Sequence, residues 1–162
     1  MPQNEKALLE RLHQQAVEFV VIGGVCGVIH GVPLVTLDLD ICCRLGAANL
    51  RRLEAAVGDL HPWHRFTPNH IPFELTEELC ASLKNLYLHT DLGTLDCLGE
   101  VLGVGDYDAA CKHSVEFRMS FGPIRILDLD TLIVAKEALG REKDRYAVRL
   151  LRAIAEKNKP GA

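Results

Sequence analysis

Phe19-Val20-Val21-Ile22-Gly23-Gly24, with thirteen residues between it and Asp38-Leu39-Asp40, is the stretch that decides the fold. Its first four residues form an aromatic and β-branched run closed by two glycines, which predicts a buried strand and then a tight turn. Val25–His30 follows as a short helix that Gly31 closes, so the glycines stand where a strand hands over to a helix. Backbone amides and the positive helix end can receive a phosphate there, and glycine removes the Cβ that would block it. Val35–Cys43 alternates about Thr36, Asp38 and Asp40 and predicts a second strand. Residues i and i+2 share a face of a strand, so the two carboxylates point together while Leu37, Leu39 and Ile41 face the core. Two like charges so close are unfavourable without a cation between them, and magnesium takes carboxylate and phosphate oxygens.

Upstream, Leu8, Leu9, Leu12 and Ala16 recur at helical spacing across residues 4–18. Downstream, Leu50, Leu53 and Val57 predict a helix over about 47–58. Gly58–Phe73 reads as a Pro- and His-rich loop, followed by a helix near 74–83. Leu86–His89 and Thr94–Leu98 predict a hairpin turning at Asp91-Leu92-Gly93, and Val115–Met119 with Ile124–Leu127 predict another. Helices at Asp130–Leu139 and Lys143–Lys157 lie either side of Gly140. The expected architecture is one α/β (α+β) domain over 1–162. A mixed β-sheet core at about 19–127 is flanked by helices, with two C-terminal helices at about 128–158.

Asp96 stands inside the apolar run Thr94-Leu95-Asp96-Cys97-Leu98. If that strand lies beside the Asp38–Asp40 strand, the three carboxylates can hold two ions about 3.5–4 Å apart and stabilise an in-line phosphoryl displacement. One of them can also take the acceptor's hydroxyl proton. Leu129, Leu132, Ile133 and Lys136 fall at i, i+3, i+4 and i+7. The lysine is thus on an apolar stripe, from which its ammonium reaches either the surface or a negative group such as a triphosphate. Asp128-Leu129-Asp130 repeats the acidic spacing but directly precedes a helix, where aspartate serves as an N-cap. Asp144 suits the first turn of the last helix, where an acid favours the dipole.

These residues carry a resemblance. Gly-Gly, a gap and Asp-x-Asp with a distant third Asp resemble the DNA polymerase β-type nucleotidyltransferase superfamily. Thr36-x-Asp38-x-Asp40, Thr90-x-x-Gly93-x-x-Asp96, Leu132-x-x-x-Lys136 and Gly140-Arg141-x-Lys143-Asp144 are similar to the small bacterial nucleotidyltransferases related to abortive-infection toxins of toxin–antitoxin systems. The resemblance covers roughly Phe19 to Leu151. It implies a nucleotidyltransferase fold and magnesium-dependent (or manganese-dependent) transfer of a nucleoside monophosphate from an NTP such as ATP. The acceptor would be a protein hydroxyl, a tRNA end or a small molecule such as an antibiotic. Asp38, Asp40 and Asp96 would be catalytic and bind metal, and Gly23, Gly24, Thr36, Lys136 and Asp144 would belong to the nucleotide site. Leu34 stands where many relatives have arginine, so phosphate binding is weaker or uses another base. That departure motivates the alternative of a catalytically weak, partner-binding or antitoxin-like protein with the same fold.

Composition narrows the classes further. A chain of 162 residues, 48% hydrophobic and 25% charged, suits one globular domain and argues against disorder, collagen-like repeats or a disulfide-framed miniprotein. Its longest apolar stretch, Phe19–Ile29, is far short of the about 20 residues of a membrane span. MPQNEKALLERL lacks the apolar centre of a signal peptide, so a cytoplasmic place without membrane is expected. The six cysteines form no C-x-x-C pair and read as reduced thiols. His61-Pro62-Trp63-His64 with His70 fits no metal-ligand spacing, and surface loop histidines are the expectation. Arg141 to Lys159 holds seven Lys/Arg against three acids in a chain of net charge −4. That basic run reads as a solvated helix face, with RNA binding as the weaker reading.

Overall fold

Helix α1 (Glu5–Gln14) starts at Asn4, whose Oδ1 accepts from the Ala7 amide at 3.1 Å, and it buries Leu8, Leu9 and Leu12. The computed structural model describes residues 3–161; Met1, Pro2 and Ala162 of the expected domain lie outside the described residues. The helix ends well before residue 18 because Ala16 turns left-handed at φ 54°. The Val17 amide then returns to the Leu12 carbonyl at 3.0 Å and closes the last turn.

Strand β1 (Phe19–Ile22) is buried along its whole length and runs into α2 (Gly23–Ile29). Strand β2 (Asp38–Cys43) begins three residues later than the alternation predicts. Pairing explains the difference: its neighbours on both sides first meet it at Asp38 and Asp40. Leu37, expected in the core, is therefore 78% exposed, while Leu39 and Ile41 are fully buried. Helix α3 (Ala47–Val57) follows and buries Leu50, Leu53 and Val57.

The His-rich stretch, expected to be a loop, holds two single 3-10 turns, at Gly58–Leu60 and Pro68–His70, and a two-residue edge strand, β3 (Trp63–His64). Helix α4 (Glu77–Ser82) is shorter than the expected 74–83 and starts at the N-cap Thr76. The first hairpin is β4 (Asn85–Thr90) and β5 (Gly93–Leu98). A small ladder of β6 (Glu100–Val101) and β7 (Gly105–Asp106) leads to α5 (Tyr107–Lys112). The second hairpin is β8 (Ser114–Met119) and β9 (Gly122–Leu127), and α6 (Leu129–Leu139) and α7 (Glu142–Lys157) close the chain.

The main sheet has seven strands in the order β3-β4-β5-β2-β1-β9-β8. It is mixed: β2 runs parallel to β5 and antiparallel to β1, while β1 runs parallel to β9. Helix α2 packs on β2 and on α6, which packs in turn on α7. The C-terminal helices thereby reach the end of the sheet where β1 gives way to α2. Among the described residues no helix is long and apolar enough to cross a membrane.

Candidate active site

Register brings the three acids together. In the parallel β2–β5 ladder Asp40 faces Asp96 and Asp38 faces Thr94; across the other edge Asp40 faces Ile22 of β1. Directly paired residues share a face, so Asp38, Asp40 and Asp96 project from one side of the central strands. Gly23, next after Ile22, is consequently beside Asp40. It adopts φ +66°, and a Cβ there would stand 2.4 Å from Asp40 Oδ2. A Cβ on Gly24 would stand 2.7 Å from Thr36 Cγ2. The glycine turn, Thr36 and Asp40 are therefore packed as one surface that tolerates no side chain at the turn.

Lys136 approaches from α6. Its side chain is 13% exposed, with Nζ 3.5 Å from Asp144 Oδ1. Asp144 is fully buried at the start of α7, where it accepts the Arg141 amide at 3.3 Å and Arg141 Nε at 2.6 Å. Both cations hold the Asp144 carboxyl below its ordinary value against the opposing effect of burial. Asp144, expected in the nucleotide site, thus offers no surface of its own and is paired with Lys136 and Arg141. Those two cations are near enough to exchange electrostatic influence with Asp40.

One residue of the site escapes the sequence reading. Arg65, in the turn after β3, places Nη2 2.6 and 2.7 Å from the two oxygens of Asp96. Its Nη1 lies 3.4 Å from Asp38 Oδ1, and the guanidinium stacks 4.8 Å from the Phe66 ring. The Arg65 amide donates to the Tyr87 carbonyl at 3.0 Å, tying the turn to β4. A single arginine in a loop has no periodicity to reveal it. The signal available is chemical only: three clustered carboxylates require cations, and nothing in the Gly58–Phe73 loop marks Arg65 as the one that meets them.

The electrostatics fit a cation-dependent centre. Burial, followed by the charges of Asp96 and Asp38, pushes the Asp40 carboxyl up to about 7. Burial also raises Asp96, with Arg65 pulling the other way. The donors are all oxygens of the kind that a hard divalent ion takes, and the missing Cβ of Gly23 lets the Asp40 carboxylate lie against the turn. Among the described residues no three His, Cys, Asp or Glu side chains already converge as a metal site. The oxygens of Asp96 are turned to Arg65 instead. Next to this face a groove of about 590 Å³ opens beside Thr36, lined by Val25, Val28, Leu34, Val35 and Leu37.

The histidines play other parts. His70 stacks on Trp63 at 3.9 Å, and His61 pairs with Asp91 at 2.6 Å. Asp128 is the N-cap of α6, its Oδ1 accepting the Thr131 amide at 2.7 Å.

No protein-family profile matches the sequence, and no curated protein matches it. Solved structures do match in shape. The lincomycin-bound lincosamide antibiotic adenylyltransferase LnuA superposes over 95% of this chain and 99% of its own, at TM-score 0.63 and 16% identity. A Thermotoga maritima protein provisionally classed as a nucleotidyltransferase matches over 92% of this chain and 90% of its own, at TM-score 0.57 and 19% identity. ANT(2″)-Ia, in complex with adenylyl-2″-tobramycin, matches over 92% of this chain and 95% of its own, at TM-score 0.50 and 14% identity. The chain has the nucleotidyltransferase fold.

Proposed function

We propose that this protein transfers a nucleoside monophosphate from an NTP to a hydroxyl acceptor, with Asp38, Asp40 and Asp96 holding divalent metal. The observation that carries the reading is the register Asp40–Asp96 beside Gly23, which sets three carboxylates against a turn with no room for a side chain. A divalent ion held there would stabilise the charge that develops on the reacting phosphate and on the oxygens entering and leaving it. The chain's own groups divide the remaining work. Gly23 and Gly24, packed against Asp40 and Thr36, would offer their backbone amides to a phosphate. Lys136, supported by Asp144, supplies positive charge on the Asp40 side. Asp96 accepts the acceptor's proton, a role suited to a carboxyl that burial has raised.

The acceptor we favour is a small molecule bearing a hydroxyl. Two neighbours of nearly the same length are bound to antibiotics or an antibiotic product, and the apolar groove beside Thr36 can take such a body. The test is transfer of label from each α-labelled NTP, with magnesium, to lincomycin, to tobramycin and to components of a cell extract. Transfer is expected with one or more NTPs and absent in an Asp38→Ala, Asp40→Ala double variant. Label that persists in that variant would refute the site. Its absence from wild type with every NTP and acceptor favours the partner-binding alternative, and protein or tRNA as the labelled species would correct the acceptor.

A further inference from the structure

Arg65 occupies the oxygens that the proposed function assigns to a divalent cation. Its Nη2 is shared between both oxygens of Asp96 while Nη1 reaches Asp38. The side chain is 21% exposed, and its Nε is buried with no hydrogen-bond partner. The guanidinium is thus engaged through its outer nitrogens only. A cation coordinated by the same carboxylates would share their oxygens with Arg65, and like charges repel strongly in a partly buried site. Arg65 and the ion therefore compete for Asp96 and Asp38. An arginine displaced from both carboxylates cannot remain in this half-buried position without another anion. A phosphate matches the fork of the guanidinium, including the now idle Nε–H.

We propose that Arg65 is a phosphate-positioning residue, docked on Asp96 and Asp38 until a divalent cation and a nucleotide arrive together. The cation takes the carboxylates, and Arg65 turns to the nucleotide's phosphates. Ion and nucleotide binding are then coupled through one side chain. The inference rests on the nucleotidyl-transfer reading, and its test separates the two.

The experiment measures Mn2+ binding to the intact protein from the loss of its free-ion paramagnetic signal, without nucleotide. Wild type is compared with Arg65→Gln, Arg65→Lys and Asp40→Asn. With its competitor removed, Arg65→Gln is expected to bind Mn2+ about tenfold more tightly than wild type, and Arg65→Lys to fall between, because an ammonium lacks the fork. Damage to the fold would weaken the site, so tighter binding reports competition between Arg65 and the ion, and the nucleotide measurement then separates a phosphate contact from a purely structural ion pair. With Mn2+ present, affinity for the non-hydrolysable α,β-methylene ATP is expected to reverse the order and drop about tenfold in Arg65→Gln. Equal or weaker Mn2+ binding by Arg65→Gln, in a protein whose site still depends on Asp40, overturns the role of Arg65 and leaves the transferase reading standing. Unchanged affinity for the ATP analogue overturns the phosphate contact. Mn2+ binding by none of the proteins, with or without the analogue, overturns both readings.

Discussion

A methyl group at position 23 would meet the Asp40 carboxylate. The left-handed φ of Gly23 costs another residue about 1–2 kcal/mol, and the 2.4 Å approach to Oδ2 adds a steric conflict with a group of the candidate site. Gly23→Ala is expected to lower the melting temperature modestly and to reduce label transfer far more than that loss explains. Activity falling only in proportion to folded protein would make the glycine a turn residue and nothing else. Asp40 itself gives a pH test. Its carboxyl is raised from 3.8 to about 7, first by burial and then by Asp96 and Asp38. Between those values the folded chain holds a proton that the unfolded chain releases. Stability of the metal-free protein therefore falls as pH rises through that window and levels off above it. Asp40→Asn removes this slope and is expected to be the more stable protein at alkaline pH. Urea unfolding of both at about pH 5 and about pH 8 checks this through the linkage relation, and identical slopes would assign the titration elsewhere.

At the scale of elements, the joint between α6 and α7 holds the ion cluster that the proposed function adds to the three acids. Asp144 is buried against Lys136 and Arg141, so Asp144→Ala strands a nearly buried lysine and is expected to cost about 3–5 kcal/mol. Changing Lys136 to Met together with Asp144 to Leu should recover much of that stability, since an apolar pair can replace a buried ion pair. Label transfer should remain low in the double variant, because the cation facing Asp40 is gone. Full activity there would remove Lys136 from the site. The neighbouring acidic pair is a contrast: Asp128→Ala deletes an N-cap and is expected to cost about 1 kcal/mol with transfer intact. Much of this layout was legible in the sequence. β1, the glycine turn, α3, both hairpins and the two last helices follow from periodicity and turn residues, which are local signals. The start of β2 did not, because Val35 to Leu37 alternate like a strand but have no neighbours to pair with. Asp38, Asp40 and Asp96 were placed together because strand parity fixes their face. Arg65 was not, because its partners are 27 and 31 residues away and only the sheet order brings them near.

For the whole molecule, the arrangement of charge sets what can bind. Arg65 comes from the loop after β3 and Lys136 and Arg141 from the α6–α7 joint, yet each is already paired with a carboxylate. An anion alone meets cations that are occupied, and a cation alone meets acids held by Arg65. A nucleotide and a divalent ion together satisfy both sets, so stabilisation should require the pair. A ligand that binds only the folded state adds about 2.7 kcal/mol at a hundredfold excess over its dissociation constant. For a chain of this size that is a rise of about 5–10 °C in melting temperature. The expected result from four NTPs, each with and without magnesium, is a shift of that order for at least one NTP only when magnesium is present. The same panel on Asp38→Ala should show none, because that variant lacks a carboxylate from the cation site and one of the partners of Arg65. An equal shift without magnesium would mean that the cations alone bind the nucleotide and that the three acids do another job. No shift with any NTP would leave the acids and Arg65 as a closed ion cluster, and the fold would then serve protein binding rather than transfer.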